Sequence, residues 1–332
     1  MRPLAFSLLR ELSHEHFVSG ARLAEKYGVS RSAVSDALRD AKNSGIRIFS
    51  LTRKGYRLAA PIELLDVDRI RAALGTTAKR VDVEVLATLD STNSELMRRA
   101  TVGAPGGLCL AAEVQTAGRG RRGRVWHSAL GDSLTFSLLW RFDKGAAQLG
   151  GLSLVVGLAV LRALRTPGGT GLRDPHSVAL KWPNDLVAGQ AKLAGVLVET
   201  QGEMLGPTTV VIGIGINLNL SDTQKTNIHQ AATDLNALCD QLPSRNRLLA
   251  GILRELVLVL DEFRVTGFQT FKSAWREHHA LQGKAVRVLH VDGSSLDATV
   301  KDVAEDGALI VTVKGKELRI AAGEVSLRGA KQ

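Results

Sequence analysis

The chain is poor in cysteine, with only Cys109 and Cys239 among its 332 residues. Two cysteines so far apart can supply neither a disulfide framework nor a zinc site, so neither kind of stabilised scaffold is predicted. The chain also lacks any apolar run near the ~18 residues that a membrane span requires. Its N-terminus is interrupted by charge, so neither a membrane anchor nor an export signal is expected. A reducing cytoplasm is the expected location.

Acidic residues are scarce relative to basic ones. The sequence has 33 Asp and Glu against 43 Lys and Arg, and the resulting net charge of +10 favours polyanionic partners. The first 60 residues hold 11 basic and 5 acidic residues, so more than half of the excess lies in under a fifth of the chain. This N-terminal segment is therefore a candidate nucleic-acid module. The hydrophobic content of 45% and the charged content of 23% are those of a globular protein, which excludes a disordered chain.

The N-terminal segment shows the spacing of a helix-turn-helix unit. One helix is predicted over about residues 3–13, a second ends at Gly28, and a third begins after Ser30 and ends at Gly45. A basic hairpin at residues 46–58 adds a wing, which argues against the alternative of a generic three-helix scaffold. The core positions would be Ala24, Val29, Val34 and Leu38. The predicted DNA-facing residues are Ser30, Arg31, Ser32, Ser35, Asp36 and Arg39.

A loop rich in arginine and glycine, residues 115–128 (QTAGRGRRGRVWHS), follows one apolar run and precedes another. Its central seven residues are three glycines and four arginines, with no acidic residue among them. Glycine lets the backbone approach a ligand closely, and guanidinium groups match carboxylate or phosphate oxygens. We expect a lid that an anion orders. The alternative is a solvated basic loop or an RG segment that binds nucleic acid.

Asp90-Ser91-Thr92-Asn93 opens a predicted helix, in which a hydroxyl caps the N-terminus. The same N-terminus could instead present donors to a polar ligand. Residues 62–75 are also predicted to be helical. Residues 178–199 are predicted to form two strands that bring Lys181 and Lys192 together at their ends, which requires an anion between the two charges. A further apolar strand leads into Asn217, whose amide could contact a base or a ribose.

The last segment has a different pattern, in which short runs of alternating apolar and polar residues are separated by glycine-containing turns. These runs predict a small antiparallel barrel of about five strands. The expected class is α+β, with a winged helix-turn-helix over residues 1–62, a mixed α/β catalytic domain over residues 63–280 and a small SH3-like β-barrel over residues 281–332.

In these motifs the chain resembles the biotin protein ligases of the bifunctional type that also repress the biotin operon. The resemblance covers essentially the whole chain. It rests on STN at residues 91–93, GRGRRGR at 118–124, KWPNDL at 181–186, KLAG at 192–195, GIGIN at 213–217 and the GxxSLR ending at 323–328. It implies a catalytic domain of the biotin/lipoate ligase type, which is similar to class II synthetases.

The resemblance also implies a reaction. Biotin and ATP give biotinyl-5′-AMP, and a lysine of the biotin carboxyl carrier protein of acetyl-CoA carboxylase then attacks this adenylate. Biotin would be contacted by Ser91, Thr92, Asn93, Gln115, Arg119, Gly120, Arg121 and Lys192. ATP would be contacted by Arg121, Trp126, Lys181, Asn184 and Asn217. Arg121 and Lys192 would be catalytic, because two approaching anions require positive charge rather than a general base.

The implied partners are the carrier protein, operator DNA and a second copy of the chain when the adenylate is bound. Mg²⁺ is expected through the phosphates of ATP, and no residue is assigned as a metal ligand, Asp185 being the one candidate. Asp36 departs from a DNA-binding pattern, since a carboxylate repels phosphate unless it accepts from a cytosine edge. Two alternative functions are a lipoate-type ligase and a transcription factor that senses a ligand without ligating it.

Overall fold

The computed structural model describes residues 2–166, 171–202, 206–228, 230–290, 294–321 and, as backbone, 325–329. In this part of the chain no helix has the length and apolar character needed to cross a bilayer.

The N-terminal residues form the predicted winged helix. Helices α1 (Pro3–Glu11), α2 (Gly20–Tyr27) and α3 (Arg31–Asn43) precede a hairpin of β1 (Ile48–Leu51) and β2 (Gly55–Leu58). Gly28 ends α2 with a φ of 61°, and the Ser30 hydroxyl caps α3 by accepting from the Ala33 N–H. Ala24, Val34 and Leu38 are buried as predicted, whereas Val29 is only half-buried.

The central part is built on a seven-stranded mixed sheet in the order β3-β4-β5-β9-β8-β7-β6. Its strands are β3 (Asp82–Leu89), β4 (Leu108–Gln115), β5 (Ser133–Phe142), β6 (Val178–Lys181), β7 (Asp185–Ala188), β8 (Ala191–Gly202) and β9 (Thr208–Asn217). Strands β3 and β4 run parallel, and the other neighbours are antiparallel.

The α-helices described beside this sheet are α4 (Val67–Leu74), α5 (Thr92–Thr101), α6 (Leu152–Arg165), α7 (Asp222–Asn227), α8 (Leu235–Leu238), α9 (Arg245–Thr266) and α10 (Lys272–Glu277). Helices α6 and α9 pack together and contribute 20 of the 58 buried residues of the main apolar cluster. Helix α5 closes a smaller cluster with Leu96, Leu110 and Val211. The sheet thus lies between α6 and α9 on one side and α5 on the other.

Two expectations for this region are wrong. The segment 62–75 is helical only from Val67, because Asp66 caps α4 by accepting from the Arg69 N–H and the preceding residues bond elsewhere. Residues 178–199 form three strands rather than two, since residues 185–188 pair as β7 between β6 and β8. Lys181 and Lys192 therefore do not lie on facing strands.

The residues before α4 are fastened by a group that we call the linker clamp, formed by Glu63, Glu113 and Arg245. The Glu63 carboxylate accepts from the Arg245 backbone N–H at 2.5 Å, at the first residue of α9. The Arg245 guanidinium donates to Glu113 Oε2 at 2.7 Å, and both side chains are 2% exposed. It also donates to the carbonyls of Glu63 at 2.8 Å and Ser133 at 3.1 Å. The clamp thereby ties the segment that follows the winged helix to β4, β5 and α9.

The C-terminal strands form one antiparallel sheet in the order β13-β12-β11-β10-β14. They are β10 (Ala285–His290), β11 (Ser295–Val303), β12 (Leu309–Val313), β13 (Lys316–Ile320) and β14 (Val325–Gly329). Their buried side chains join the main cluster of the central sheet, and Trp182 Nε1 donates to the Gly307 carbonyl at 3.0 Å. The predicted α+β class, with a winged helix, a mixed central sheet and a C-terminal β unit, is confirmed.

Candidate active site

A cleft of about 930 Å³ opens beside the central sheet, between the N-terminus of α5, the arginine loop, strands β6 to β9 and residues 280–285. It brings together almost every residue that the motifs single out. The predicted residues that line it are Ser91, Thr92, Asn93, Gln115, Arg119, Gly120, Arg121, Trp126, Lys181, Asn184 and Lys192. Asn217, which is predicted to contact ATP, does not line this cleft.

One end of the cleft is a neutral, strongly hydrogen-bonded surface at the start of α5. The Ser91 hydroxyl caps the helix by accepting from the Ser94 N–H at 3.4 Å, as predicted. Gln115 Oε1, at the end of β4, accepts from the Thr92 N–H at 2.8 Å and lies 3.2 Å from the Thr92 hydroxyl. Ser137 on β5 lies 2.7 Å from the Thr92 hydroxyl and donates to Asn93 Oδ1 at 2.5 Å. These bonds fix the direction of each polar atom at this end.

Asn93 can reach this position because residue 213 is glycine. A Cβ atom at Gly213 would lie 2.1 Å from Asn93 Oδ1. The Asn93 amide nitrogen donates to Glu199 Oε2 at 2.9 Å and to the Leu197 carbonyl at 3.3 Å, both on β8. The GIGIN motif therefore makes room for a side chain from α5.

The arginine loop folds into a small closed turn. Arg119 and Val125 form an antiparallel bridge, and the Gly120 N–H donates to the Arg124 carbonyl at 2.7 Å. Although the loop has no acidic residue of its own, Arg119 pairs across the cleft with Glu199 Oε1 at 2.6 Å. The loop is therefore attached to β8 through one of its arginines.

Arg121 occupies a different place from Arg119. It is half-buried, and one of its guanidinium nitrogens donates to Asn184 Oδ1 at 3.3 Å. Burial lowers the pKa of this guanidinium, whereas the nearby Asp185 carboxylate acts in the opposite direction. An anionic ligand in the cleft would further stabilise this partly desolvated cation.

Trp126 lines the cleft and lies against Gly215 of strand β9. A Cβ atom at Gly215 would lie 2.3 Å from Cε2 of the indole, so glycine is required for this contact. The indole nitrogen is buried and has no hydrogen-bond partner among the described residues. A buried indole N–H normally has an acceptor, so this donor suits a ligand.

The cationic end of the cleft is centred on Lys192. Its ammonium lies 2.5 Å from Asp185 Oδ1 and 5.7 Å from the centre of the Trp126 ring. Asp185 is also the register partner of Lys181 across β6 and β7. Asp185 thus supplies an anion to Lys192 from the chain itself, although the facing-strand geometry predicted for Lys181 and Lys192 is wrong.

Asn217 lies outside the cleft and stabilises the backbone next to it. Its amide nitrogen donates to the backbone carbonyls of Lys192 at 3.3 Å and Thr233 at 3.0 Å, and the side chain is buried. It therefore holds the strand that carries Lys192, and it does not reach the cleft in this structure.

Two residues of the site are not assigned to it by the sequence alone. Ser137 is the third of three alternating hydroxyl residues on β5, after Ser133 and Thr135, and Glu199 ends the apolar run GVLVE. Both polar residues are visible in the sequence. Their partners, however, lie 44 and 80 residues away along the chain, so periodicity alone could not assign them.

No cluster of three or more His, Cys, Asp or Glu side chains able to bind a metal occurs in the described ranges. Asp185 stands alone as a carboxylate in the cleft and is paired with Lys192. The side chains present therefore do not form a metal site of their own.

The predicted DNA-facing residues lie together on α3. Ser30, Arg31, Ser32 and Arg39 are exposed, whereas Ser35 and Asp36 are half-buried. Asp36 forms an ion pair with Arg39 at 3.1 Å. This pairing neutralises the one carboxylate that would oppose a phosphate backbone.

Three segments of the chain match known families. Residues 5–57 match the HTH domain family, residues 85–217 the biotin/lipoate A/B protein ligase family, and residues 282–328 the biotin protein ligase C terminal domain.

Individual relatives cover most of the chain. It is 35% identical over 324 residues to the bifunctional ligase/repressor BirA of Salmonella typhimurium, which covers 98% of this chain and 97% of that one. It is 40% identical over 257 residues to the biotin–[acetyl-CoA-carboxylase] ligase of Paracoccus denitrificans, which covers 74% of this chain and 100% of that one. The biotin protein ligase from Aquifex aeolicus in complex with biotin and ATP matches with a TM-score of 0.62 and 28% identity, over 75% of this chain and 99% of that one.

Proposed function

The chain belongs to the biotin protein ligases, as its motifs predict, and from this premise we propose that its central domain, residues 63–280, activates biotin with ATP and biotinylates a carrier protein. The acceptor is a lysine of the biotin carboxyl carrier protein of acetyl-CoA carboxylase. One observation carries the proposal. A single cleft has a neutral, directional hydrogen-bonding end at α5 and a cationic end at Lys192 and Arg121.

The neutral end suits the ureido ring of biotin, which is uncharged and has both donors and acceptors. Gln115 and Thr92 have fixed orientations there, and Ser91 and Asn93 complete the surface. Arg119 and Gly120 close the loop over this end. The carboxylate of biotin would then extend toward Lys192.

The cationic end suits the nucleotide. Trp126 offers an aromatic face and an N–H without a partner among the described residues, while Asn184 and Lys181 line the neighbouring wall. Asn217 acts from behind, by holding the backbone of Lys192 and Thr233. Mg²⁺ would be bound through the phosphates of ATP, because the cleft has no metal-binding cluster of side chains within the described ranges.

The reaction has two steps. In the first, a carboxylate oxygen of biotin attacks the α-phosphorus of ATP, and pyrophosphate leaves with the electron pair of the broken P–O bond. In the second, the amine of the carrier lysine attacks the acyl carbon of the adenylate, loses a proton, and AMP leaves. Lys192 and Arg121 are positioned to offset the negative charge where carboxylate and phosphate meet, which lowers the barrier of the first step.

The N-terminal domain, residues 1–62, gives the protein a second role as a biotin-responsive repressor that binds operator DNA. Its exposed face on α3 carries Arg31 and Arg39. Binding of the adenylate would favour a homodimer, and two winged helices at a fixed spacing bind a two-fold operator far better than one. The C-terminal domain, residues 281–332, contributes Leu281 and Lys284 to the rim of the cleft. A reducing cytoplasm suits both the substrates and the two free, buried cysteines.

The ligase activity is tested by biotin-dependent exchange of pyrophosphate into ATP. The wild-type protein should catalyse exchange, and Lys192→Ala should lower the rate by a factor of about 10² to 10³. Lys79→Ala is the matched control, since Lys79 is exposed and does not line the cleft. Mass spectrometry of a carrier domain incubated with biotin or with lipoate separates this function from a lipoate ligase and from a sensor without activity. A carrier that gains no biotin would refute the proposal.

The repressor role has its own experiment. Sedimentation with and without biotin and ATP should show dimers only when the adenylate forms, and the same sample should bind DNA upstream of biotin-synthesis genes. A protein that stays monomeric with the adenylate, or that prefers no sequence over random duplex, would refute this role and leave the ligase reaction standing.

A further inference from the structure

Glu199 connects three separate parts of the cleft. It lies on β8, and its two carboxylate oxygens have different partners. Oε2 accepts from the Asn93 amide nitrogen at 2.9 Å, and Oε1 pairs with an Arg119 guanidinium nitrogen at 2.6 Å. The other terminal nitrogen of Arg119 donates to the Ser94 hydroxyl on α5 at 3.1 Å. One side chain thus joins the sheet to α5 and to the arginine loop.

The contact to Asn93 orients its amide, together with the weaker contact to the Leu197 carbonyl at 3.3 Å. A carboxylate can only accept, so it holds the Asn93 nitrogen toward β8 and leaves Oδ1 facing Ser137, whose hydroxyl donates at 2.5 Å. Ser137 in turn lies 2.7 Å from the Thr92 hydroxyl. Because Ser137 has a single proton and gives it to Asn93, it accepts from Thr92, so the orientation imposed on Asn93 extends through Ser137 to Thr92.

The contact to Arg119 separates the roles of the loop arginines. Arg119 is neutralised by Glu199, whereas Arg121 lies against Asn184 within reach of the Asp185 charge. The loop is anchored to β8 through Arg119, and Arg121 lies at the cationic end of the cleft.

We propose that Glu199 is a positioning residue of the ligase reaction, which fastens the arginine loop over the biotin end of the cleft and fixes the Asn93 amide. This inference rests on the proposed function. Glu199 acts through Asn93 and Arg119, and it takes no part in bond formation.

The competing description is a surface ion pair with little consequence, since Arg119 is half exposed. The substitution Glu199→Gln distinguishes the two. A glutamine has a single acceptor oxygen, so its amide nitrogen would face either the Asn93 nitrogen or the Arg119 guanidinium, and both are donors. The neutral variant therefore disrupts at least one contact while it keeps the size of the side chain.

The first readout is independent of activity. The arginine loop contains four trypsin sites, so release of the loop is measurable as faster tryptic cleavage within residues 119–124 of the ligand-free protein. At the three arginines that both variants keep, Arg121, Arg122 and Arg124, Glu199→Gln and, separately, Arg119→Ala should be cut about tenfold faster than wild type, which is the effect expected when a charge-assisted hydrogen bond is lost. Glu84→Gln is the control, since it disrupts a comparable ion pair with Arg99 at 2.7 Å on β3, away from the cleft.

The second readout is kinetic. Glu199→Gln should raise the KM for biotin by about tenfold or more and speed the release of biotinyl-adenylate, because both contacts affect the biotin end. The kcat of pyrophosphate exchange at saturating biotin should change less than about threefold, because Lys192 and Arg121 keep their contacts. Arg119→Ala should speed adenylate release with a smaller effect on KM, since the Asn93 amide stays oriented.

Different results would refute the proposed ligase function and the positioning role of Glu199. If the wild-type protein forms no biotinyl-adenylate, the proposed function fails, while the tryptic assay still decides whether Glu199 anchors the loop. If wild type is active and both Glu199→Gln and Arg119→Ala leave cleavage and biotin KM unchanged, the positioning role is refuted. If Glu199→Gln does not fold, Arg119→Ala decides the matter, because its side chain lies on the surface of the loop.

Discussion

Replacing Arg245 is expected to destabilise the protein more than any change to a surface charge. In the linker clamp, Arg245 provides the cation that faces the buried carboxylate of Glu113, and both are 2% exposed. With Arg245→Met, the Glu113 carboxylate keeps, among the described residues, the Leu65 N–H at 2.5 Å, and the carbonyls of Glu63 and Ser133 lose a donor. Removing one member of a buried ion pair in this way costs about 3 to 5 kcal/mol.

That free energy can be measured directly. Urea unfolding, followed by the fluorescence of the four tryptophans, should give a free energy of unfolding lower by the same amount. The melting temperature should fall by roughly 6 to 20 °C, because each kcal/mol shifts a domain of this size by about 2 to 4 °C. Arg264→Met is the matched control on the same helix, since Arg264 is exposed and should change stability by less than about 0.5 kcal/mol.

A second variant tests the cause. If the cost comes from the unpaired charge, Glu113→Met combined with Arg245→Met should recover at least about 2 kcal/mol relative to Arg245→Met alone, because no charge is then left buried. A cost below about 1 kcal/mol for the single variant, or a double variant no more stable than the single one, would refute the reasoning.

Three further changes test other parts of the structure. Gly215→Ala places a Cβ atom 2.3 Å from the Trp126 ring and should raise the KM for ATP by at least about tenfold. Gly251→Ala on α9 is the control and should leave the KM unchanged, whereas an unchanged KM in Gly215→Ala would contradict this prediction. Burial lowers the pKa of His279 to about 4 from 6.5, so this residue's contribution to stability is complete above pH 6.5 and declines as the pH falls toward 4. His279→Phe should flatten that dependence by up to about 3 kcal/mol in urea titrations at several pH values, and a wild-type slope would exclude the assignment. Arg31→Ala should reduce the slope of log DNA affinity against log salt by about 1, and an identical slope would remove this side chain from the phosphate contacts.

The local chemistry of the site was predictable because several motifs carry it in consecutive residues. The arginine loop, KWPND and STN each place their functional atoms within a few positions, so composition alone indicated an anion site and a helix cap. The winged helix was predictable for the same reason. Its turns are set by Gly28 and its cap by Ser30, which act within three residues of where they stand.

The features that the sequence does not reveal depend on contacts between residues that are distant along the chain. Glu113 and Arg245 are 132 residues apart, and neither lies in a recognisable motif. The four-residue strand β7 is too short to show a period, so the lysine geometry around it was predicted wrongly. The sequence likewise does not reveal that the buried amide of Asn217 donates to two backbone carbonyls.

The division of the buried apolar residues into separate clusters affects how the protein unfolds. The buried side chains of the C-terminal sheet belong to one cluster with α6 and α9, whereas the winged helix has a cluster of its own that reaches only to a few neighbouring side chains such as Leu64 and Leu130. Cooperativity follows the sharing of buried surface, because residues in one core lose their partners together. The C-terminal strands should therefore melt in the same transition as the catalytic sheet, and the winged helix in a separate, smaller one.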